Sequence, residues 1–167
     1  MTPYLLLLEM KKMLRGLDGW LAKASVHAEA RKYDTSVLVQ SRLAPDMFPF
    51  VRQVQSACDT AKFAASRVTG KDAPSHPDTE ATFAELSERI GKTLAYLDTF
   101  TENDFAALDG RTVSMPRWEG KTMTAVDYLV EHAVPNFFFH VTTAYAILRH
   151  AGVEVGKRDF LGTLSIR

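Results

Sequence analysis

Apolar residues recur at alternating spacings of three and four in four stretches of the chain, the repeat of a helix with one buried face. In the first stretch these positions are Leu7, Met10, Leu14, Leu17 and Leu21. The pattern predicts helices over about residues 3–30, 45–70, 79–100 and 124–152. Four long amphipathic helices with no alternating strands predict an all-α fold, a four-helix bundle.

Residue types at the ends of these stretches support the predicted bounds. Pro45 and Pro49 are tolerated only in the first turn of a helix, where backbone N–H groups have no helical partner, so the second helix should begin between them. Thr124 and Asp127 have the spacing of a capping box that opens the last helix, and Gly152 closes it.

The connections predict little other regular structure. Residues 111–115 and 121–123 flank Trp118, Glu119 and Gly120, and we predict that the two segments pair as a small β-hairpin before the last helix. We expect residues 153–167 to be extended and anchored by Phe160 and Leu161. At 167 residues the chain is predicted to form a single domain over residues 1–167.

Composition excludes several classes of function. Formal net charge is zero and no basic block exists, so the pattern of a nucleic-acid-binding protein is missing. No apolar run approaches the ~20 residues of a membrane span. Cys58 is the single cysteine, so no intramolecular disulfide can form. We expect a cytoplasmic protein whose sequence resembles those of bacterial proteins.

The last predicted helix carries polar residues within a strongly apolar stretch. His132, Asn136 and His140 are four residues apart and therefore share one face. Asp46 or Gln53 from the second helix would add an oxygen. The stripe is either a ligand-binding site or a buried hydrogen-bonded network, because buried polar groups need partners. His132 and His140 are about 12 Å apart along the helix axis, too far to hold one metal ion together.

Three further features bear on a site or an interface. Pro135 removes a helical hydrogen bond, which predicts a kink or a local widening of the last helix. The run of phenylalanines at 137–139 covers nearly all sides of that helix, which favours a homodimer. Trp118, in the connection before the helix, would line a ligand pocket or cap the core.

Four sequence blocks carry a resemblance to a known family. They are LAPDM at 43–47, RQVQ at 52–55, PNFFFHVTTAYAILRHAG at 135–152 and GKRDFLG at 156–162. With these blocks the chain resembles an uncharacterised branch of the DinB/YfiT-like four-helix-bundle superfamily, a domain of unknown function that spans essentially the whole chain. The resemblance implies that fold, with a pocket between the second and fourth helices.

The resemblance also implies a possible metal centre. Metal-binding members use three histidines, one from the second helix and two from the fourth, and some resemble thiol-dependent transferases or isomerases. Here the second helix has no histidine between positions 46 and 70, and Asn136 stands at the first position of the fourth-helix pair. Of the three expected ligands, His140 alone stands in register.

Two functions therefore stay open. In one, the protein is a non-catalytic bundle that binds a small molecule and has a degenerate metal site, without a cofactor. In the other, it is a metal-dependent thiol transferase or isomerase. His140 would then be a general base or a ligand of zinc or nickel together with Asn136 and Asp46, and Asn136 would position the substrate. In both, Gln53, His132 and Trp118 would line the ligand pocket.

Overall fold

Four long helices, the fourth of them built from three consecutive segments, form the protein, which we describe over residues 2–166 from a computed structural model. The helices are α1 (Pro3–Arg31), α2 (Ser36–Val39), α3 (Phe50–Thr69), α4 (Phe83–Leu97), α5 (Ala125–Asp127), α6 (Val134–His150) and α7 (Lys157–Leu161). A π-helix, Tyr128–Ala133, joins α5 to α6, and short 3₁₀ turns lie at Glu102–Phe105 and Pro116–Trp118. Strands β1 (Thr112–Ser114) and β2 (Thr122–Thr124) form an antiparallel hairpin. The all-α bundle with a small hairpin before the last helix is confirmed.

The second and third long helices are shorter than predicted. Helix α3 begins at Phe50 because the backbone of Pro49 is extended, with ψ of 165°. Asp46, predicted in the first turn of this helix, therefore lies in the preceding loop and is exposed. Helix α4 begins at Phe83 because Thr82 and Glu85 form a capping box, in which the Glu85 N–H donates to Thr82 Oγ1 at 3.2 Å.

The predicted widening of the last helix beside Pro135 is confirmed. The Asp127 N–H donates to Thr124 Oγ1 at 3.1 Å and opens the helix as expected. The chain then takes the π-helical path over Tyr128–Ala133, immediately before the proline. A proline has no N–H to bond the preceding turn, so the wider turn absorbs the missing hydrogen bond. The widened segment presents Tyr128 and His132 toward α3.

The C-terminal segment differs from the extended tail that was predicted. Residues Lys157–Leu161 form a short helix, and the Phe160 ring stacks on Trp20 of α1 with centroids 5.8 Å apart. Phe160 is therefore an anchor, as predicted, whereas Leu161 remains exposed. The Trp20 Nε1–H also donates to the carbonyl of Asp159 at 3.3 Å.

The core lies between α1, α3, α4 and α6, and its most extensive helix contact joins α3 to α6. Of the three consecutive phenylalanines, Phe137 is buried, Phe138 is half-buried and Phe139 is 54% exposed. Within residues 2–166 no helix combines the length and apolar character needed to cross a membrane.

Candidate functional site

A cleft of about 440 Å³ lies between α3 and the last helix, at the end of the bundle where the hairpin connection crosses. Its walls come from three places. Helix α3 supplies Ser56, Asp59, Thr60, Phe63 and Arg67; the hairpin connection supplies Met115, Pro116 and Arg117; the last helix supplies Tyr128, His132, Asn136 and His140, and Phe48 stands at one end. The predicted stripe of His132, Asn136 and His140 thus forms one wall of this cleft.

His140 is held in one orientation by α3. Its Nδ1 lies 2.8 Å from Gln53 Oε1, and Gln53 Nε2 donates to the carbonyl of Phe48 at 3.0 Å. Because the Gln53 oxygen only accepts, Nδ1 carries the proton and donates it. Burial first, and the Arg52 charge second, lower the pKa of His140 below its usual 6.5. The imidazole is therefore neutral near pH 7, and the lone pair lies on Nε2.

Asn136 makes its own contact with α3. Its Nδ2 donates to Thr60 Oγ1 at 2.7 Å, and that hydroxyl donates to the carbonyl of Ser56 at 2.7 Å. Asn136 and His140 are thus bound to different residues of α3, one turn of the last helix apart. Thr60 was missed in the sequence, although it lies seven residues after Gln53 and hence on the same face of α3.

His132 belongs to an aromatic cluster at the hairpin end of the cleft. It stacks on Tyr128 with centroids 5.4 Å apart, and Trp118 meets it edge-on at 5.9 Å. Its Nε2 accepts a hydrogen bond from Arg117, so the ring is neutral. Burial, followed by the charges of Arg117 and Arg67, lowers its pKa. Trp118 supports the cleft wall from behind, and its side chain is not part of the lining.

Two arginines that the sequence reasoning missed line the same end. The Arg67 guanidinium lies 4.6 Å from the Phe63 ring centroid and 5.8 Å from that of Tyr128, and its Nη1 donates to the Tyr128 hydroxyl at 3.0 Å. Arg67 follows Thr60 by seven residues, so the spacing along α3 was a usable signal. No sequence spacing pointed to Arg117, because the fold of the hairpin connection brings it to the cleft.

The residues present do not fit a zinc or nickel centre. No group of three or more histidines, cysteines or carboxylates comes together in the described part of the chain. Around His140 the neighbouring donors are neutral amides and hydroxyls, which are weak ligands for these metals. Asp46 is exposed in its loop and does not line the cleft. Burial also raises the pKa of the Cys58 thiol to about 12, so it is no thiolate ligand.

The chain folds as a DinB-like four-helix bundle with a small hairpin before its last helix. A crystal structure of a DinB family member from Shewanella denitrificans is 50% identical to this chain, with a TM-score of 0.93 over 96% of this chain and 92% of that one. The sequence profile of the domain of unknown function DUF1993 matches residues 5–161. The chain belongs to that family. No curated protein is significantly similar to it.

Proposed function

We propose that the protein binds a small organic molecule in the cleft between α3 and α6, with His140 as its central polar contact. One observation carries this proposal: Gln53 fixes His140 with the Nε2 lone pair unused. Within residues 2–166 that nitrogen has no hydrogen-bond partner, and it is not among the fully buried atoms without one, so it stays accessible from the cleft although the residue as a whole is only 8% exposed.

The surroundings of His140 support binding of an organic ligand. Ligand sites combine apolar walls with a few fixed polar groups. Here Phe48, Phe63 and Met115 supply apolar surface, and Asn136 and His140 supply polar groups held by α3. Both polar groups stand on long helices, so little conformational entropy is lost when a ligand binds to them.

A purely structural network is the competing interpretation. In that case Gln53, His140, Asn136 and Thr60 would only satisfy one another, and the cleft would be incidental. The network accounts for Nδ1 of His140 and for the amide of Asn136. It does not use Nε2 of His140, which stays open to the cleft and can accept a hydrogen bond there, and this is why we favour a ligand.

A ligand screen tests the proposal. Untagged protein is titrated with a metabolite library and followed by ligand-observed NMR, in wild type, His140→Ala and His150→Ala. His150 is exposed at the end of the same helix and serves as the matched control. We expect compounds that bind wild type and the control but not His140→Ala. Equal binding to all three proteins would contradict the proposal.

The second candidate is an enzyme in which His140 acts as a general base toward a bound thiol or hydroxyl. The same observation favours it, because a neutral imidazole with a free Nε2 can accept a proton. Elemental analysis of protein purified without tag or chelator, before and after zinc and nickel are added, separates the metal-dependent form. About one metal per chain, lost in His140→Ala, would overturn the assignment of an organic-ligand cleft.

A further inference from the structure

We infer that the ligand of this cleft carries an oxyanion, a carboxylate or a phosphate ester, bound by Arg67 and Arg117. This inference rests on the proposed function and adds the chemical class of the ligand. It follows from the charges around the cleft, from the way both guanidiniums are held, and from the distribution of polar and apolar groups along the walls.

The two cleft arginines lack anionic partners. In the described part of the chain, Arg52 and Arg89 form ion pairs with carboxylates, whereas Arg67 and Arg117 form none. Arg67 is half-buried, and a charge taken partly out of water is normally paired because its desolvation is costly. Arg117 is exposed, but it lines the same end of the cleft and adds a second guanidinium beside Arg67. Together the two groups leave a site for an external anion.

The single carboxylate in the cleft lining does not neutralise them. Asp59 lies 2.9 Å from Lys62 Nζ and 2.8 Å from Arg89 Nη2. Its charge belongs to a network in which Lys62, Arg89 and Arg52 balance the carboxylates of Asp59, Asp78 and Glu80. The field of Arg67 and Arg117 also reaches His132, whose pKa both of them lower. A cationic ligand would be repelled at this end of the cleft, and an anionic one attracted.

Both guanidiniums are held before any ligand arrives. Arg67 is stacked on Phe63 and Tyr128 and anchored by the Tyr128 hydroxyl and the Met115 thioether. Arg117 is anchored through Nη2 on the Nε2 of His132. Each anchor uses one terminal nitrogen and leaves further N–H groups of the fork for an oxyanion, which arginine binds in a bidentate manner.

The rest of the cleft limits the shape of the ligand. The apolar side chains of Phe48, Phe63 and Met115 can contact a hydrophobic body, and His140 Nε2 can accept a hydrogen bond from a donor group. The ligand expected from these contacts is a small amphiphilic oxyacid. Benzoate carries a carboxylate on a phenyl ring, and phenyl phosphate carries a phosphate ester on a phenyl ring. Benzamide has the shape of benzoate but no charge.

The experiment is an NMR titration of ¹⁵N-labelled protein with these three compounds. Arg117→Gln removes a charge from an exposed 3₁₀ turn, so its folding risk is small. Arg67→Lys keeps the charge but loses the fork, and Arg158→Gln on α7 is the control. We expect an oxyanion to bind about tenfold more tightly than benzamide, and Arg117→Gln to remove that advantage. Arg67→Lys should weaken the binding of the oxyanion but not that of benzamide, and Arg158→Gln should leave the affinity for all three compounds unchanged.

Each outcome decides the inference. If benzoate or phenyl phosphate is preferred and Arg117→Gln cancels the preference, the inference stands, and the preferred probe identifies the carboxylate or the phosphate. Equal binding of benzoate and benzamide with shifts at His140 would overturn the anion while leaving a ligand cleft. No binding of either oxyanion below about 10 mM would overturn the inference too, and the library screen would then judge the proposed function separately.

Discussion

Replacing His140 with alanine separates a ligand-binding histidine from a structural one. The substitution removes the donor to Gln53 Oε1, an atom of a side chain that is 1% exposed. A buried acceptor left without a partner costs about 1–3 kcal/mol. Loss of the imidazole's contact with its surroundings adds to this, so we expect a decrease of about 2–3 kcal/mol in the free energy of unfolding near pH 7.5.

The cost of His140→Ala should shrink as the pH falls. The folded pKa of His140 is lowered below 6.5 by burial and by Arg52, whereas the unfolded chain has the ordinary value. Below about pH 6.5 His140 is protonated in the unfolded state but stays neutral in the folded state. The free energy of unfolding of the wild type therefore falls by up to about 1.4 kcal/mol per pH unit because of this group. The variant lacks this loss, and the two stabilities converge.

Urea unfolding of both proteins between about pH 7.5 and pH 5 measures this effect. The control His150→Ala, at the exposed end of α6, should change stability by less than about 0.5 kcal/mol. A cost for His140→Ala that is equally small, or one that does not vary with pH, would refute the reasoning. If the variant also keeps all ligand binding, both interpretations of His140 fail.

Three further predictions concern the rest of the molecule. Arg89→Met should cost about 3–5 kcal/mol in urea unfolding, because it leaves the carboxylates around a 2%-exposed arginine facing one another, and the exposed control Lys92→Met should cost far less. His132→Phe should flatten the stability loss between about pH 7 and pH 5, since burial and two guanidiniums lower the pKa of His132; an unchanged slope would contradict this. The homodimer stays a prediction that rests on exposed Phe139, and sedimentation showing only monomer at tens of micromolar would count against it.

Helix periodicity and capping residues predicted the bundle well. The C terminus of α1 at Arg31 and the opening of the last helix after Thr124 lie within two residues of the prediction. The start of α3 was wrong, because a proline suits both the first turn of a helix and the extended residue before it. That choice is made by packing, and it moved Asp46 from the site into a loop.

The candidate site was predicted only in part. The four-residue spacing placed His132, Asn136 and His140 on one face, and all three line the same wall of the cleft, because residues on one helix have a fixed geometry. Which residues of α3 contact the last helix depends on how the two helices are aligned along their axes, and spacing within one helix does not give this. The sequence therefore left Asp46 and Gln53 as alternatives for the oxygen donor, and it missed Thr60. Arg117 reaches the cleft through the hairpin connection, a long-range arrangement that no local spacing encodes.

The most direct test of the central claim is a long-range ¹H–¹⁵N NMR spectrum of the histidine side chains, recorded across a pH series with and without benzamide, whose N–H groups can donate to an imidazole nitrogen. The account predicts that His140 is a neutral Nδ1–H tautomer whose pKa lies below 6.5, and that benzamide changes the signal of its Nε2. An Nε2–H tautomer, an ordinary titration near pH 6.5, or an Nε2 signal that no tested ligand alters would contradict the assignment of this cleft.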